Sequence, residues 1–157
     1  MVDIFSIVRC GKYMEYRSAI DLVDVNILDE NGSNLLAPAI VYDRPEIVRD
    51  LLQRGIDMNH KGERQMTAIQ LAIQWRRSDI AKTLVELGSD LNSRDVYGNN
   101  SLWYSVVQPK KNYDLIELLV KNGSNPLNRN NAGRTPVDFA KQISDERVIR
   151  LLTKEQE

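Results

Sequence analysis

The chain has 157 residues, of which 42% are hydrophobic and 27% are charged, and its 21 Lys and Arg residues nearly balance its 22 Asp and Glu residues, for a net charge of -1. This composition is typical of one soluble globular domain, and the balanced charge excludes a strong overall attraction to nucleic acid or to a membrane surface. The single cysteine excludes an internal disulfide and favours a reducing compartment, so we expect a cytoplasmic protein.

Residues 1–27 predict a shortened pair of helices. The N-terminus lacks a basic leader with a long apolar core, and no apolar run approaches the roughly 20 residues that span a bilayer, so we expect neither a secretory signal nor a membrane span. Gly11 should separate the first helix from a second one at about residues 12–22. One face of the first helix collects its apolar side chains: Ile4, Phe5, Ile7 and Val8.

The next turn, at residues 29–32, has the sequence DENG, which suits a type I turn, and it precedes two further helices. Proline is tolerated only in the first turn of a helix, so Pro38 predicts that the first of these helices begins late, near Ala37. The second should span residues 45–54, with its proline in the first turn, and Gly55 should end it in a left-handed conformation.

The same pattern of a turn and two helices follows three more times. The turn at residues 62–65 lacks the usual closing glycine, which leaves the shape of this turn open. In the fourth pattern, the loop at residues 108–113 holds two extra residues between the helices. In the fifth, Thr135 should cap a helix that begins at Pro136, and Asp138 is interpreted as a helix-start residue rather than a general acid.

Equivalent turn positions recur at Gly32, Gln65, Gly98 and Gly133, at intervals of 33, 33 and 35 residues. The pattern Gly-x-Asp-x-Asn is intact twice, and residues 135–140 read TPVDFA. A period of about 33 residues with one turn and two helices is the signature of ankyrin repeats, and the chain resembles that family along almost its whole length. The resemblance implies an all-α solenoid with short β-turn fingers, formed by one domain of residues 1–157. We expect about five units, with the first and last as caps: 1–27, 28–60, 61–93, 94–128 and 129–157.

The sequence offers little that points to catalysis. His60 and Cys10 are the only residues of their types, too few for a zinc site of the His/Cys kind. Cys10 has no base nearby in the sequence, and no pair of carboxylates is forced into one cleft. We therefore predict no catalytic residue, metal or cofactor, and an unrecognised enzyme that uses Cys10, His60 or a carboxylate pair is the third hypothesis.

Aromatic residues mark the first predicted binding surface. The resemblance implies that the turns project as fingers and that the first helices line a concave face. Tyr42 and Trp75 hold equivalent positions in adjacent units, so they should be neighbours on that face, although Trp75 and Trp103 could instead pack against the next repeat. Aromatic and arginine side chains are enriched at binding hot spots. The predicted surface is completed by Arg64, Met66, Tyr97 and Trp103.

Basic residues form a second predicted surface at the loop between the two helices of three successive units: Arg44, Arg76, Arg77, Lys110 and Lys111. Stacked units would place them along one edge. If they are unpaired, they would attract an acidic protein surface and speed encounter. The alternative is a solvated edge that neighbouring carboxylates partly neutralise. Nucleic acid is a weaker candidate, because the chain has no basic excess.

Residues 95–152 are similar to small bacterial ankyrin proteins, some of which are immunity proteins that neutralise a toxin. That resemblance implies a non-catalytic inhibitor that binds and blocks one partner protein, such as a toxin or enzyme with an acidic surface. We expect a complete small protein that is monomeric when free and binds neither nucleic acid nor membrane. The alternative is an adaptor that bridges two proteins, which requires a second binding face.

Overall fold

The computed structural model describes residues 3–154, and within them ten α-helices follow one another as five pairs without any β-strand. The all-α prediction is confirmed. The helices are α1 (Ile4–Cys10), α2 (Tyr13–Ile20), α3 (Leu36–Val41), α4 (Pro45–Gln53), α5 (Ala68–Gln74), α6 (Ser78–Glu86), α7 (Ser101–Val107), α8 (Tyr113–Lys121), α9 (Pro136–Gln142) and α10 (Glu146–Thr153).

The helices form two layers. The first helix of each pair packs on the first helix of the next pair, from α1 through α3, α5 and α7 to α9. In the other layer α2 packs on α4, α6 on α8, and α8 on α10. One apolar core runs between the layers from Ile4 to Leu152. The two helices of each pair therefore pack on each other and on the neighbouring pairs, as in a repeat protein.

Helix α4 shows how the sequence sets these elements. Pro45 occupies its first turn, where the missing N–H costs no hydrogen bond, and Gly55 follows its end with φ of 77°. Ile47, Val48 and Leu51 form its buried face. The prediction of residues 45–54 is correct to within one residue, and α3 begins at Leu36, one residue before the predicted start.

Side-chain caps mark the starts of α1, α5, α7 and α9. At α9, Thr135 Oγ1 accepts a hydrogen bond from Asp138 N at 3.0 Å, and Asp138 Oδ2 accepts one from Thr135 N at 2.9 Å. This reciprocal pair satisfies two backbone donors that the helix itself cannot. The contact from Thr135 lowers the pKa of Asp138. The predicted roles of Thr135, Pro136 and Asp138 at a helix start are therefore confirmed.

The recurring Asp-x-Asn motif links each pair of helices to the next. Asp57 Oδ1 accepts a hydrogen bond from Asn59 N at 2.9 Å, which shapes the loop. Asn59 Oδ1 then accepts one from Asp90 N of the following loop, also at 2.9 Å. The same two kinds of contact recur along the chain at Asp24, Asn26, Asp90, Asn92 and Asn125.

Candidate functional site

Four turns project between the helix pairs, and we call them the fingers: residues 29–33, 62–66, 95–99 and 130–134. In the finger at 95–99, Asp95 Oδ1 accepts hydrogen bonds from Tyr97 N at 2.8 Å and from Asn99 N at 2.9 Å. The fingers at 29–33 and 130–134 have the same arrangement around Asp29 and Asn130. A short polar side chain at the first position therefore organises three of the four fingers.

The finger at residues 62–66 departs from this arrangement. Gly62 stands at the first position and has no side-chain acceptor, while Arg64 and Gln65 adopt φ of 55° and 59°. Left-handed backbone costs a residue with a side chain about 1–2 kcal/mol. The open question about this turn is thus answered: two successive strained residues replace the single closing glycine. Both side chains are exposed.

The fingers from the third pair onward bind one another through their backbones. Arg64 O accepts a hydrogen bond from Val96 N at 2.9 Å, and Tyr97 O accepts one from Asn131 N at 2.9 Å. The side chains of Val96 and Tyr97 stay exposed at the tip. These contacts join the three fingers into one surface that carries Arg64 and Tyr97, two residues predicted for partner binding.

Met66 does not belong to that surface, and its prediction is wrong. Its side chain is only 5% exposed. Gly62 N donates a hydrogen bond to Met66 O at 3.0 Å, which closes the finger at its base. Met66 therefore stands where the chain re-enters the fold rather than at the tip, and the repeat period does not distinguish these two places.

Trp103 packs against the next repeat, as the alternative reading of the sequence allowed. Its ring lies 5.7 Å from that of Phe139, with an edge-on angle of 62°. The Arg134 guanidinium lies over both rings, 5.8 Å from the Trp103 centroid and 5.5 Å from that of Phe139. Such contacts stabilise aromatic and cationic side chains beyond the area they bury. Trp103 remains partly exposed.

Tyr42 and Trp75 occupy equivalent places after α3 and α5, two helices that pack on each other. Each is the C-terminal cap residue of its helix, and the two side chains are 50% and 48% exposed. Neither ring stacks with another described aromatic ring. Large aromatic side chains left this exposed at adjacent, equivalent positions are typical of an interaction surface.

Two of the predicted basic residues are used by the fold. Arg44 donates two hydrogen bonds to Arg9 O, from Nη2 at 2.8 Å and from Nε at 3.2 Å. Arg77 donates to Val41 O at 2.9 Å and to Ile40 O at 3.2 Å. We call Arg44 and Arg77 the clamp arginines, because each holds the end of the first helix of the preceding pair. Of the basic residues predicted for partner binding, these two are therefore already paired with backbone carbonyls.

The remaining basic residues surround a cleft of about 450 Å³ between the third and fourth pairs. Arg76, Lys110 and Lys111 line it, and Arg147 of α10 joins them. The Arg147 guanidinium lies 4.1 Å from the centroid of the Tyr113 ring. Arg147 was not predicted. The sequence feature that could have indicated Arg147 is its position in the first turn of the last helix, because stacking places that turn next to the lengthened loop of the preceding unit.

A buried polar cluster joins α2 to α4 and was also not predicted. Asp50, which is buried, accepts hydrogen bonds from the Tyr16 hydroxyl at 2.6 Å and from Arg54 Nε at 2.6 Å. Burial raises the pKa of Asp50, but Tyr16 and Arg54 outweigh it and the pKa is lowered overall. Burial and the hydrogen bond to Asp50 raise the pKa of Tyr16. This cluster stabilises the fold.

Cys10 and His60 are the two single residues that the sequence analysis considered for catalysis. Cys10 is an exposed free thiol, and His60 Nε2 lies 2.6 Å from Gly32 O of the preceding finger. Within residues 3–154, no group of three or more His, Cys, Asp or Glu side chains is placed to hold a metal ion. None of the helices in that range is long and apolar enough to cross a membrane.

Stacked helix pairs with projecting fingers define a repeat protein of the solenoid class. A family profile described as ankyrin repeats (3 copies) matches residues 8–95. The chain therefore belongs to the ankyrin-repeat family. Ankyrin repeats are generally modules for protein–protein interaction and are typically non-catalytic. A comparison with curated proteins finds no match.

Proposed function

We propose that this protein binds one partner protein through its exposed aromatic and basic residues and thereby inhibits that partner. The observation that carries the proposal is the exposure of Tyr42 and Trp75 at equivalent places in adjacent repeats. Arg76 follows Trp75 directly, and its guanidinium makes no hydrogen bond or ion pair with the rest of residues 3–154. An aromatic side chain beside an unpaired cation fits the anchor residues of protein interfaces.

The charge of this surface supports a partner with an acidic face. Arg76 and Lys110 are exposed, and Arg64 lies at the tip of its finger. Complementary charge raises the rate of encounter and disfavours partners of the wrong sign. A toxin or other enzyme with an acidic surface is the partner class that this reading favours, as the resemblance to immunity proteins implies. The free protein is proposed to be a cytoplasmic monomer.

The test begins with affinity capture from the native host, followed by an activity assay of the captured enzyme. Adding the wild-type protein should lower that activity, and the Trp75→Ala/Arg76→Glu variant should leave it high. Leu87→Ala/Arg49→Glu is the matched control, because it makes the same kinds of change on the layer of second helices. Leu87, which directly follows α6, is 53% exposed, and Arg49 on α4 is also exposed. A captured enzyme that stays fully active while it is bound would contradict the proposal that this protein is an inhibitor.

An adaptor that bridges two proteins is the second candidate, and one observation favours it. Met14 and Leu22 of the first pair are 78% and 82% exposed. Leu22 stands where the later repeats have Gly55, Gly88 and Gly123, so an apolar side chain replaces a turn glycine at this end. Sedimentation should show a complex with two different partners, and Met14→Lys/Leu22→Lys should remove one of them. A single partner in every complex would exclude the adaptor.

A further inference from the structure

The cleft between the third and fourth helix pairs lies at the junction where the clamp arginine is replaced. Arg44 and Arg77 hold the junctions of the first with the second pair and of the second with the third. At the next junction the equivalent residue is Asn112, whose side chain is shorter. It donates to Ser78 Oγ at 3.2 Å and accepts from Leu115 N at 3.1 Å. Asn112 lines the cleft of about 450 Å³ at this junction.

Cations surround this cleft from three parts of the chain. Arg76 follows α5, Lys110 and Lys111 belong to the lengthened loop, and Arg147 comes from α10. None of the four forms an ion pair with a carboxylate of residues 3–154, although Lys111 Nζ donates to Gln108 O. The one carboxylate that lines the cleft is Asp114. The cleft therefore carries a positive excess.

Polar groups inside the cleft also favour an anion. Ser105 lines the cleft, is 2% exposed, and its hydroxyl has no hydrogen-bond partner in the described part of the chain. Within residues 3–154, Ser101 Oγ is the one buried side-chain polar atom without a partner, so Ser105 Oγ is in contact with solvent in the cleft and can donate a hydrogen bond to a carboxylate oxygen. The N-termini of α6 and α8 open onto the same space, since Ser78 and Tyr113 line it, and helix N-termini favour negative charge.

We propose that this cleft binds the carboxylate side chains of an acidic segment of the partner protein. The inference rests on the proposed function, because it names the part of the partner that the basic surface recognises. A volume of about 450 Å³ lies within the range of ligand sites, about 300–1,000 Å³. The cations come from three parts of the chain, and Asp114 also lines the cleft. This arrangement suits several single charges along an extended segment better than one phosphate dianion.

The test uses a fluorescent oligo-glutamate peptide and the full chain, with oligo-glutamine as the uncharged control, at physiological ionic strength. Fluorescence anisotropy should show binding of oligo-glutamate alone. Arg76→Glu and Lys110→Glu should each weaken binding by about tenfold, as the loss of a close charge pair predicts. Arg49→Glu, a charge reversal at an exposed site on α4, should change it less than twofold. Failure of the wild-type protein to bind the peptide would overturn the proposal.

Asn112→Arg separates the cleft from general charge attraction. This variant adds a positive charge but restores a clamp arginine, so the proposal predicts that it abolishes peptide binding. Unchanged or tighter binding by a folded Asn112→Arg protein would overturn the proposal, and so would displacement of the peptide by equimolar inorganic phosphate. Ser105→Ala should weaken binding several-fold without altering the melting temperature by more than a few degrees. A natural partner that binds Asn112→Arg normally but not Trp75→Ala would overturn this inference and leave the proposed function standing.

Discussion

Arg44 donates two hydrogen bonds to the backbone carbonyl of Arg9, at 2.8 and 3.2 Å, across the junction of the first two helix pairs. The side chain thereby satisfies a carbonyl at the end of α1 that has no partner within the helix. Arg77 makes the corresponding contacts with α3. These two arginines, which the sequence analysis predicted for partner binding, instead join one repeat to the next.

Replacing a clamp arginine should therefore destabilise the fold. Arg77→Ala leaves the carbonyl of Val41 without its donor, while Ile40 O keeps the N–H of Asp43, and we expect a loss of about 1–2 kcal/mol in the free energy of unfolding. Urea unfolding followed by circular dichroism measures it. Arg76→Ala is the neighbouring control and should change stability by less than about 0.5 kcal/mol. Equal losses of unfolding free energy in both variants would contradict the role of Arg77 as a clamp between repeats.

The Asp-x-Asn motif should stabilise the contact between successive repeats rather than the structure within one repeat. Asn59→Ala removes the acceptor of Asp90 N and should lower the free energy of unfolding by about 1 kcal/mol. Asn122→Ala is the control, because the Asn122 side chain bonds only within its own helix end. Hydrogen exchange at Asp90 N should accelerate in the first variant alone. Unchanged protection of that amide would show that Asn59 does not hold the loop.

The strained finger predicts a stabilising substitution. Gln65 has φ of 59° and stands where three other fingers have glycine, so Gln65→Gly should relieve strain. We expect a gain of about 0.5–1 kcal/mol, reduced from the full cost of left-handed backbone by the entropy of glycine in the unfolded chain. Glu63→Gly, at a residue without positive φ, should instead destabilise the protein. A loss of stability in Gln65→Gly would mean that the finger carries no strain.

The cluster around Asp50 predicts a response to acid. The pKa of Asp50 is lowered in the folded protein, because hydrogen bonds from Tyr16 and Arg54 outweigh its burial. A lowered folded pKa gives stability that is present above the unfolded pKa of about 3.9 and lost as the pH falls through the folded value. Asp50→Asn should therefore lose less stability than the wild type on acidification below about pH 4. Parallel pH profiles in urea unfolding would contradict this role.

Much of the architecture was predictable because caps and helix ends are local. Pro45 and Thr135 mark helix starts by chemistry that acts within a few residues, and the period then places every pair. The site was less predictable, because the period gives a residue's place but not its contacts. Met66 is buried at the base of its finger, as Ser33 and Asn99 are at the equivalent positions, and Arg77 turns to a carbonyl of the preceding repeat. Arg147 lies beside residues more than thirty positions away, where only the stacking brings them together.

Exposed residues on successive repeats are proposed to bind one partner protein. The most direct measurement is the affinity of the captured partner for the wild type, for Trp75→Ala/Arg76→Glu, and for the control Leu87→Ala/Arg49→Glu, by isothermal titration calorimetry. The account predicts a single stoichiometric partner whose affinity falls at least thirtyfold in the first variant, from a loss of about 2 kcal/mol or more, and is unchanged in the control. Equal affinity for all three proteins would contradict the claim that this surface binds the partner.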